Sequence, residues 1–209
     1  MAPLAEDVFD LLTVCTGNIC RSPMVELIAA HELSKALGPT ASRFRVHSAG
    51  THGLEGWEVN PPAAARLDSL GIVHVDFRAR LLVQNMVARA DLVLTATREH
   101  RSAVVRLEPR AASRSFTLRE FARLVALVDR AALPVDDPVE RARSLVVATA
   151  ASRGQVWVPP AEDDIADPYG RSAADFARCE AEIAEALADP LRTIWEPFQP
   201  MSPTREVTS

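Results

Sequence analysis

Lysine is nearly absent: Lys35 is the only one, and arginine supplies the remaining positive charge. Tyrosine occurs once, as Tyr169, and cysteine three times, as Cys15, Cys20 and Cys179. Acidic residues outnumber basic ones, for a net charge of −5. That balance excludes general affinity for the nucleic-acid backbone, so no nucleic-acid partner is expected. No run of about 18 apolar residues occurs, so no membrane span is expected. The opening MAPLAEDVFD has neither a basic start nor a long apolar stretch, which argues against a secretory signal. Three cysteines without regular spacing do not form a disulfide framework and suit a reducing compartment. A cytoplasmic protein is therefore expected. No G-x-x-x-x-G-K pattern is present, which excludes a nucleotide-binding loop of that kind. His47, His52, His74 and His100 lack paired metal-ligand spacing and are expected to be surface residues or satisfied by neighbours. No metal and no cofactor are expected. The arginine and alanine bias fits a GC-rich, bacterial genome.

What is present reads as an ordinary globular chain. It has 209 residues, 48% hydrophobic and 24% charged, enough for one domain with a full core. Strand and helix signals alternate. VFDLLTV (8–14) is nearly continuous apolar sequence, as in a strand buried on both faces. A helix is predicted from about Pro23 to Leu37, stopped by Gly38-Pro39. FRVHSAG (44–50) alternates like a second strand, and Asn60-Pro61 opens a helix that ends at Gly71. DLVLTA (91–96) is a third strand, after which Thr97 can cap a helix through Leu107. SFT (115–117) fits a short fourth strand; Thr117 and Glu120 have capping-box spacing for a helix to Val128. Asp137 precedes a further helix, and Ser172 with Asp175 makes a second capping box. Phe176, Cys179, Ile183, Leu187, Leu191 and Ile194 then share one helical face. The expected fold is α/β: a three-layer sandwich, four parallel strands with helices on both faces, in flavodoxin-like topology. Residues 197–209 read as a tail.

Such sheets bind ligands at the carboxyl ends of their strands. The octet CTGNICRS (15–22) sits there, after the first strand and before the first helix. Cysteine attacks as thiolate, and three features favour that anion at Cys15. They are a helix N-terminus with unpaired N–H groups, the guanidinium of Arg21 and the hydroxyl of Ser22. Gly17 and Asn18 tolerate positive φ, which a loop curling over successive N–H groups needs. Arg21 adds a planar fork matching two phosphoryl oxygens. Thr16, Gly17, Asn18, Ile19, Cys20 and Ser22 are thus expected to cradle a tetrahedral oxyanion above the sulfur of Cys15. The bare spacing C-x5-R is weak; its place between strand and helix strengthens it.

VCTGNICRSPMVE resembles the phosphate-binding loop of low-molecular-weight protein tyrosine phosphatases. SAGT (48–51), W-x-V-x-x-P (57–62), DLVLTATREH (91–100) and DPYG (167–170) are similar to further segments of that family. The resemblance covers roughly residues 8–128 and 163–195, so 129–162 is expected to be an insertion in a single domain spanning 1–196. It implies that Cys15 is the nucleophile, Arg21 the phosphate clamp, Ser22 the thiolate's hydrogen-bond partner and Asn18 the loop's brace. One departure is Phe77 before Arg78-Ala79-Arg80, where many members carry a histidine that supports the loop asparagine. The network around Asn18 is expected to be rewired.

A phenol leaves badly as phenolate, so the reaction calls for a carboxylic acid near the leaving oxygen. EDDIADPYG offers Glu162, Asp163, Asp164 and Asp167, and charge alone does not choose among them. The Asp-Pro match to the family selects Asp167 and leaves the others as a solvated acidic loop. Trp57 and Tyr169 are candidate aromatic walls for the substrate ring; Trp157, Trp195 and Cys179 are expected in the core. Cys20 lies close enough in the loop for reversible oxidation with Cys15 to be entertained. The implied activity is hydrolysis of phosphotyrosine in proteins through a phosphocysteine, by a monomer or weak dimer, with a bacterial tyrosine kinase as a possible partner. The alternatives are an arsenate reductase on the same scaffold and a catalytically silent phospho-ligand module. The absence of cysteine from residues 81–100 speaks against the first, and the presence of Cys15 and Asp167 against the second.

Overall fold

The computed structural model describes residues 7–198. The expected tail therefore lies outside the described residues beyond Phe198, which closes a short 3-10 turn, Glu196–Phe198. Four strands, β1 (Phe9–Cys15), β2 (Phe44–Gly50), β3 (Leu92–Thr95) and β4 (Ser115–Thr117), form one parallel sheet in the order β2-β1-β3-β4. Every residue of β1 is buried, which explains its unbroken apolar sequence. Among the described residues, seven helices connect and cover the strands: α1 (Arg21–Leu37), α2 (Pro61–Ser69), α3 (Gln84–Arg89), α4 (Arg98–Leu107), α5 (Leu118–Val125), α6 (Pro138–Ala151) and α7 (Ala173–Trp195).

Alternate residues of β1 serve different layers. Phe9 and Leu11 join a large core with α1, α2, α5, α6 and α7, whereas Leu12 and Val14 join a smaller one with Val87, Ala90, Val104 and Ala111. The result is a three-layer α/β sandwich, as expected, with unequal layers. Side-chain caps start the later helices where the sequence placed them. Thr97 caps α4, Thr117 and Ser172 make complete capping boxes on α5 and α7, and Asp137 caps α6.

Several boundaries differ from expectation by a few residues. β1 runs one residue later and takes in Cys15, and α1 starts at Arg21, two residues before Pro23. Both shifts shorten the loop between them to five residues. α5 stops at Val125 because residues 126–128 close into turns. α3 was not expected: it has six residues, and only Val87 of them is buried, too few to display a helical period.

Arginines stitch the segment 129–162 to the rest: Arg130 pairs with Asp189 and Arg143 with Asp91, and two more reach backbone carbonyls. Arg141 is buried and donates to the carbonyls of Thr193, Leu133 and Pro134. Arg153 lies 3.9 Å above the ring of Phe116 and donates to the carbonyls of Ala112 and Ser115. Trp157, expected in the core, is instead 82% exposed. It follows the turn that ends α6 and precedes Pro159-Pro160, where no helix or strand carries it inward.

Candidate active site

The chain leaves β1 toward β2 on one side and returns to β3 on the other, so the carboxyl ends of β1 and β3 flank the sheet's topological switch point. The loop 16–20 crosses that point, and its backbone orientation follows from where its carbonyls go. Thr51 N donates to Cys15 O, His52 N to Thr16 O, Leu54 N to Gly17 O and Asn60 N to Ile19 O, at 2.8–3.1 Å. Met24 N takes Cys20 O. With these carbonyls held by the segment after β2 and by α1, the peptide N–H groups face the other way. Among the described residues those of Gly17, Asn18, Ile19 and Cys20 donate to no backbone carbonyl. The strand end, the curl and the first turn of α1 thus form a cup of unpaired donors.

Asn18 holds the curl. Among the described residues it is the one non-glycine residue with positive φ, 57°, and it is fully buried. The N–H of Arg80 can only donate, so it fixes the amide oxygen of Asn18 at 2.7 Å. The amide nitrogen then faces Ser22 Oγ at 2.9 Å and Ser48 Oγ at 2.7 Å. Ser48 passes its proton on to Glu26 Oε2 at 2.5 Å. With one lone pair of Ser22 occupied by Asn18, its hydroxyl chooses between Cys15 Sγ at 3.0 Å and Ala49 O at 3.4 Å. The shorter contact is with sulfur. Phe77 is buried in the core and takes no part in this chain. Glu26 and Ser48, which sequence reasoning overlooked, occupy the supporting role; burial pushes the Glu26 carboxyl up, with Ser48 and Arg80 opposing.

Arg21 lies almost wholly inside the protein. It donates to Thr16 Oγ1 at 3.2 Å, to Ile165 O at 3.3 Å and to Asp167 Oδ2 at 2.5 Å, and its buried Nε has no partner. Asp167, with a half-exposed side chain, therefore stands at the rim of the cup. Cys15, Thr16, Gly17, Ile19, Cys20, Arg21 and Asp167 line one cleft of about 240 Å³, together with His52, Leu54 and Tyr169. Asn18 and Ser22 sit behind the lining and act through it.

Trp57 does not line the cleft. It is 58% exposed, and its backbone is spent on a turn with Leu54 and on Ala79. Leu54 stands at the cleft where Trp57 was expected, which corrects the expectation of a tryptophan wall. His100 is one of the histidines satisfied by neighbours, not a surface one. It is buried at the start of α4, with Nδ1 against Thr97 Oγ1 at 2.7 Å and Nε2 against Thr16 Oγ1 at 2.9 Å. Burial first, and Arg21 second, push its pKa down to about 4, so the ring is neutral near pH 7. Its sequence signal was its position three residues after the cap Thr97. The acidic loop also departs from expectation: Asp163 is buried between two arginines, and Asp164 accepts the backbone N–H of Arg98. Cys20 and Cys179 are buried and reduced, and burial pushes both thiols up to about 12.

The sequence matches the family described as low molecular weight phosphotyrosine protein phosphatase over residues 10–152. The match ends before Asp167. A low-molecular-weight protein-tyrosine-phosphatase of Streptomyces coelicolor is 35% identical over 128 residues, 60% of this chain and 74% of its own. A protein-arginine-phosphatase of Geobacillus stearothermophilus is 32% identical over 113 residues, 54% of this chain and 71% of its own. Among solved structures, a low-molecular-weight protein tyrosine phosphatase from T. tengcongensis superposes with a TM-score of 0.62 at 28% identity, covering 87% of this chain and 96% of that one. Fold and relatives together define a cysteine-based phosphatase, a hydrolase. The family match spans more than half of the sequence. The chain belongs to the low-molecular-weight phosphotyrosine protein phosphatase family.

Proposed function

We propose that the protein hydrolyses phosphotyrosine in proteins through a phosphocysteine. The observation that carries this reading is the cup itself: Cys15 Sγ at its base, unpaired amides around it, and Arg21 with Asp167 across its rim. The dianionic phosphoryl group would take the N–H donors of residues 17–20 and the free Nε of Arg21. Thiolate sulfur attacks phosphorus and the phosphorus–phenol oxygen bond breaks. Asp167, as the acid, gives its proton to the departing oxygen. Water then attacks the phosphocysteine, Asp167 takes the water's proton, and the sulfur–phosphorus bond breaks to return thiolate and free phosphate. The hydroxyl of Ser22 at 3.0 Å stabilises the sulfur anion at both ends of the cycle.

The walls favour an aromatic ester. Ile19, Leu54 and Tyr169 border the cup with apolar and aromatic surface, suited to a phenyl ring. A second reading, phosphoarginine, comes from the arginine-phosphatase relatives. It is the weaker one, because a cationic guanidinium would find no carboxylate among the lining residues besides Asp167, already paired with Arg21. Arsenate reduction by cysteine relay is weaker still, since Cys20 and Cys179 are buried thiols that stay protonated up to about pH 12. A nucleophilic thiol suits a reducing compartment such as the cytoplasm, and a tyrosine kinase of the same cell is the partner this chemistry implies.

The test is kcat/KM on a phosphotyrosine peptide, a phosphoarginine peptide and p-nitrophenyl phosphate, for the wild type, Cys15→Ser and Asp167→Ala. Phosphotyrosine should be preferred, Cys15→Ser should be inactive, and Asp167→Ala should lose about 10²–10⁴-fold on the peptide. Turnover surviving in Cys15→Ser, or a preference for phosphoarginine, would overturn the proposal.

A further inference from the structure

Four residues before Asp167, Asp163 is 1% exposed and grips two helices at once. Arg98 of α4 donates Nε and Nη2 to one carboxylate oxygen at 2.8 and 2.5 Å, and Arg123 of α5 donates Nη1 to the other at 2.5 Å. Burial alone would raise its pKa, but the two guanidinium groups outweigh burial and hold the carboxyl below its ordinary value. The next two residues continue the anchorage. Asp164 Oδ1 accepts the backbone N–H of Arg98 at 2.7 Å, and Ile165 N donates to Ala96 O at 2.8 Å. Ile165 O in turn accepts from Arg21 at 3.3 Å. The loop is thus pinned to α4, to α5, to the exit of β3 and to the arginine of the cup.

A buried ion cluster of this kind adds little net stability over apolar packing of the same volume. What it fixes is position. Asp167 has a half-exposed side chain and, among the described residues, hydrogen-bonds only to Arg21 and the N–H of Tyr169, so its own contacts hold it weakly. Proton transfer requires the carboxyl within about 2.6–3.2 Å of the leaving oxygen. A misplacement of about 1 Å can cost on the order of a hundredfold.

We propose that Asp163, clamped by Arg98 and Arg123, is the positioning residue that delivers Asp167 to the leaving group. The proposal rests on the reading of Asp167 as general acid. Its signature is dependence on the leaving group. Phenyl phosphate needs a proton on its departing oxygen, whereas p-nitrophenyl phosphate releases a far weaker base and needs it much less.

The test compares kcat/KM, which reports the steps through P–O cleavage, for the two substrates in Asp163→Asn, Arg123→Gln and the reference variant Asp167→Asn. Both substrates are assayed on one preparation, so a loss of folded protein cancels in their ratio; if Asp163→Asn fails to fold, Arg123→Gln carries the comparison. The clamp predicts a fall of about tenfold or more for phenyl phosphate against less than about threefold for p-nitrophenyl phosphate, with inhibition by inorganic phosphate unchanged. Equal falls on both substrates in Asp163→Asn and Arg123→Gln, beside a normal split in Asp167→Asn, refute the clamp and spare the acid. No split in Asp167→Asn refutes the acid, and the clamp with it.

Discussion

Replacing Asn18 tests how the cup keeps its shape. The residue combines a left-handed backbone, φ 57°, with three hydrogen bonds, to Ser22, Ser48 and the N–H of Arg80. Each bond contributes about 1 kcal/mol net. The left-handed region costs an ordinary L-residue roughly 1–2 kcal/mol, and asparagine less than alanine. Asn18→Ala forfeits the bonds and meets the full backbone strain, so it should lose about 4 kcal/mol. Asn18→Gly forfeits the same bonds without the strain, at an entropic cost of about 0.4–1 kcal/mol from the looser unfolded chain. Glycine should therefore be more stable than alanine by about 0.5–1 kcal/mol, as read by urea unfolding. Turnover should separate from stability. Neither variant can orient the hydroxyl of Ser22 toward Cys15, so both should lose on the order of a hundredfold in kcat/KM. An Asn18→Ala protein as stable as wild type would refute the reasoning, as would an Asn18→Gly protein with full turnover.

Acid should act on the fold through His100. Its pKa is about 4 when folded against an ordinary value of 6.5, so the unfolded chain binds the proton more readily. The stability at stake is complete above pH 6.5 and is lost as pH falls through about 4, on the order of 3 kcal/mol. Denaturant unfolding from pH 7 to 4 should fall less steeply in His100→Gln than in wild type, and equal slopes would count against it. Glycine positions offer a paired control. A Cβ at Gly50 would lie 2.4 Å from Thr16 O and 2.9 Å from Asn18 N, whereas one at Gly56 would meet nothing within 4 Å. Gly50→Ala should thus cut turnover by about a hundredfold, while Gly56→Ala, strained only in its backbone, should keep it; equal turnover in the two would contradict the close approach.

What the sequence made legible was local. The apolar run of β1 reports two-sided burial, and Thr97, Thr117, Asp137 and Ser172 report helix starts because a cap satisfies its own neighbours. The octet 15–22 was legible for the same reason: a strand end, a positive-φ residue and a helix start lie within eight positions. What stayed hidden depends on residues far apart. Asp163 looked like part of a solvated run because its partners lie 65 and 40 positions away. His100 meets Thr16 across 84 positions. Trp57 matched a spacing, but which of Leu54 and Trp57 enters the cleft depends on how Trp57 O pairs with Ala79 N, 22 positions later. α3 has too few buried residues to mark any period.

The same distinction bears on how the cup exists at all. Five peptide groups facing one way repel one another and leave donors unmatched, so the octet alone has no reason to hold this curl. The opposing term is the segment 51–60, whose N–H groups take the loop's carbonyls, and the N–H of Arg80, which takes Asn18. Gly50 and Gly53 let that segment approach: any Cβ at Gly53 would lie 2.2 Å from Arg80 O. The reacting residues come from one short stretch, but their geometry is imposed by the exit of β2 and the strand-like pairing of Gly50 with Leu81. Ser48, Gly50, Gly53 and Arg80 touch no reacting atom, yet they belong to the cup as fully as Cys15 does.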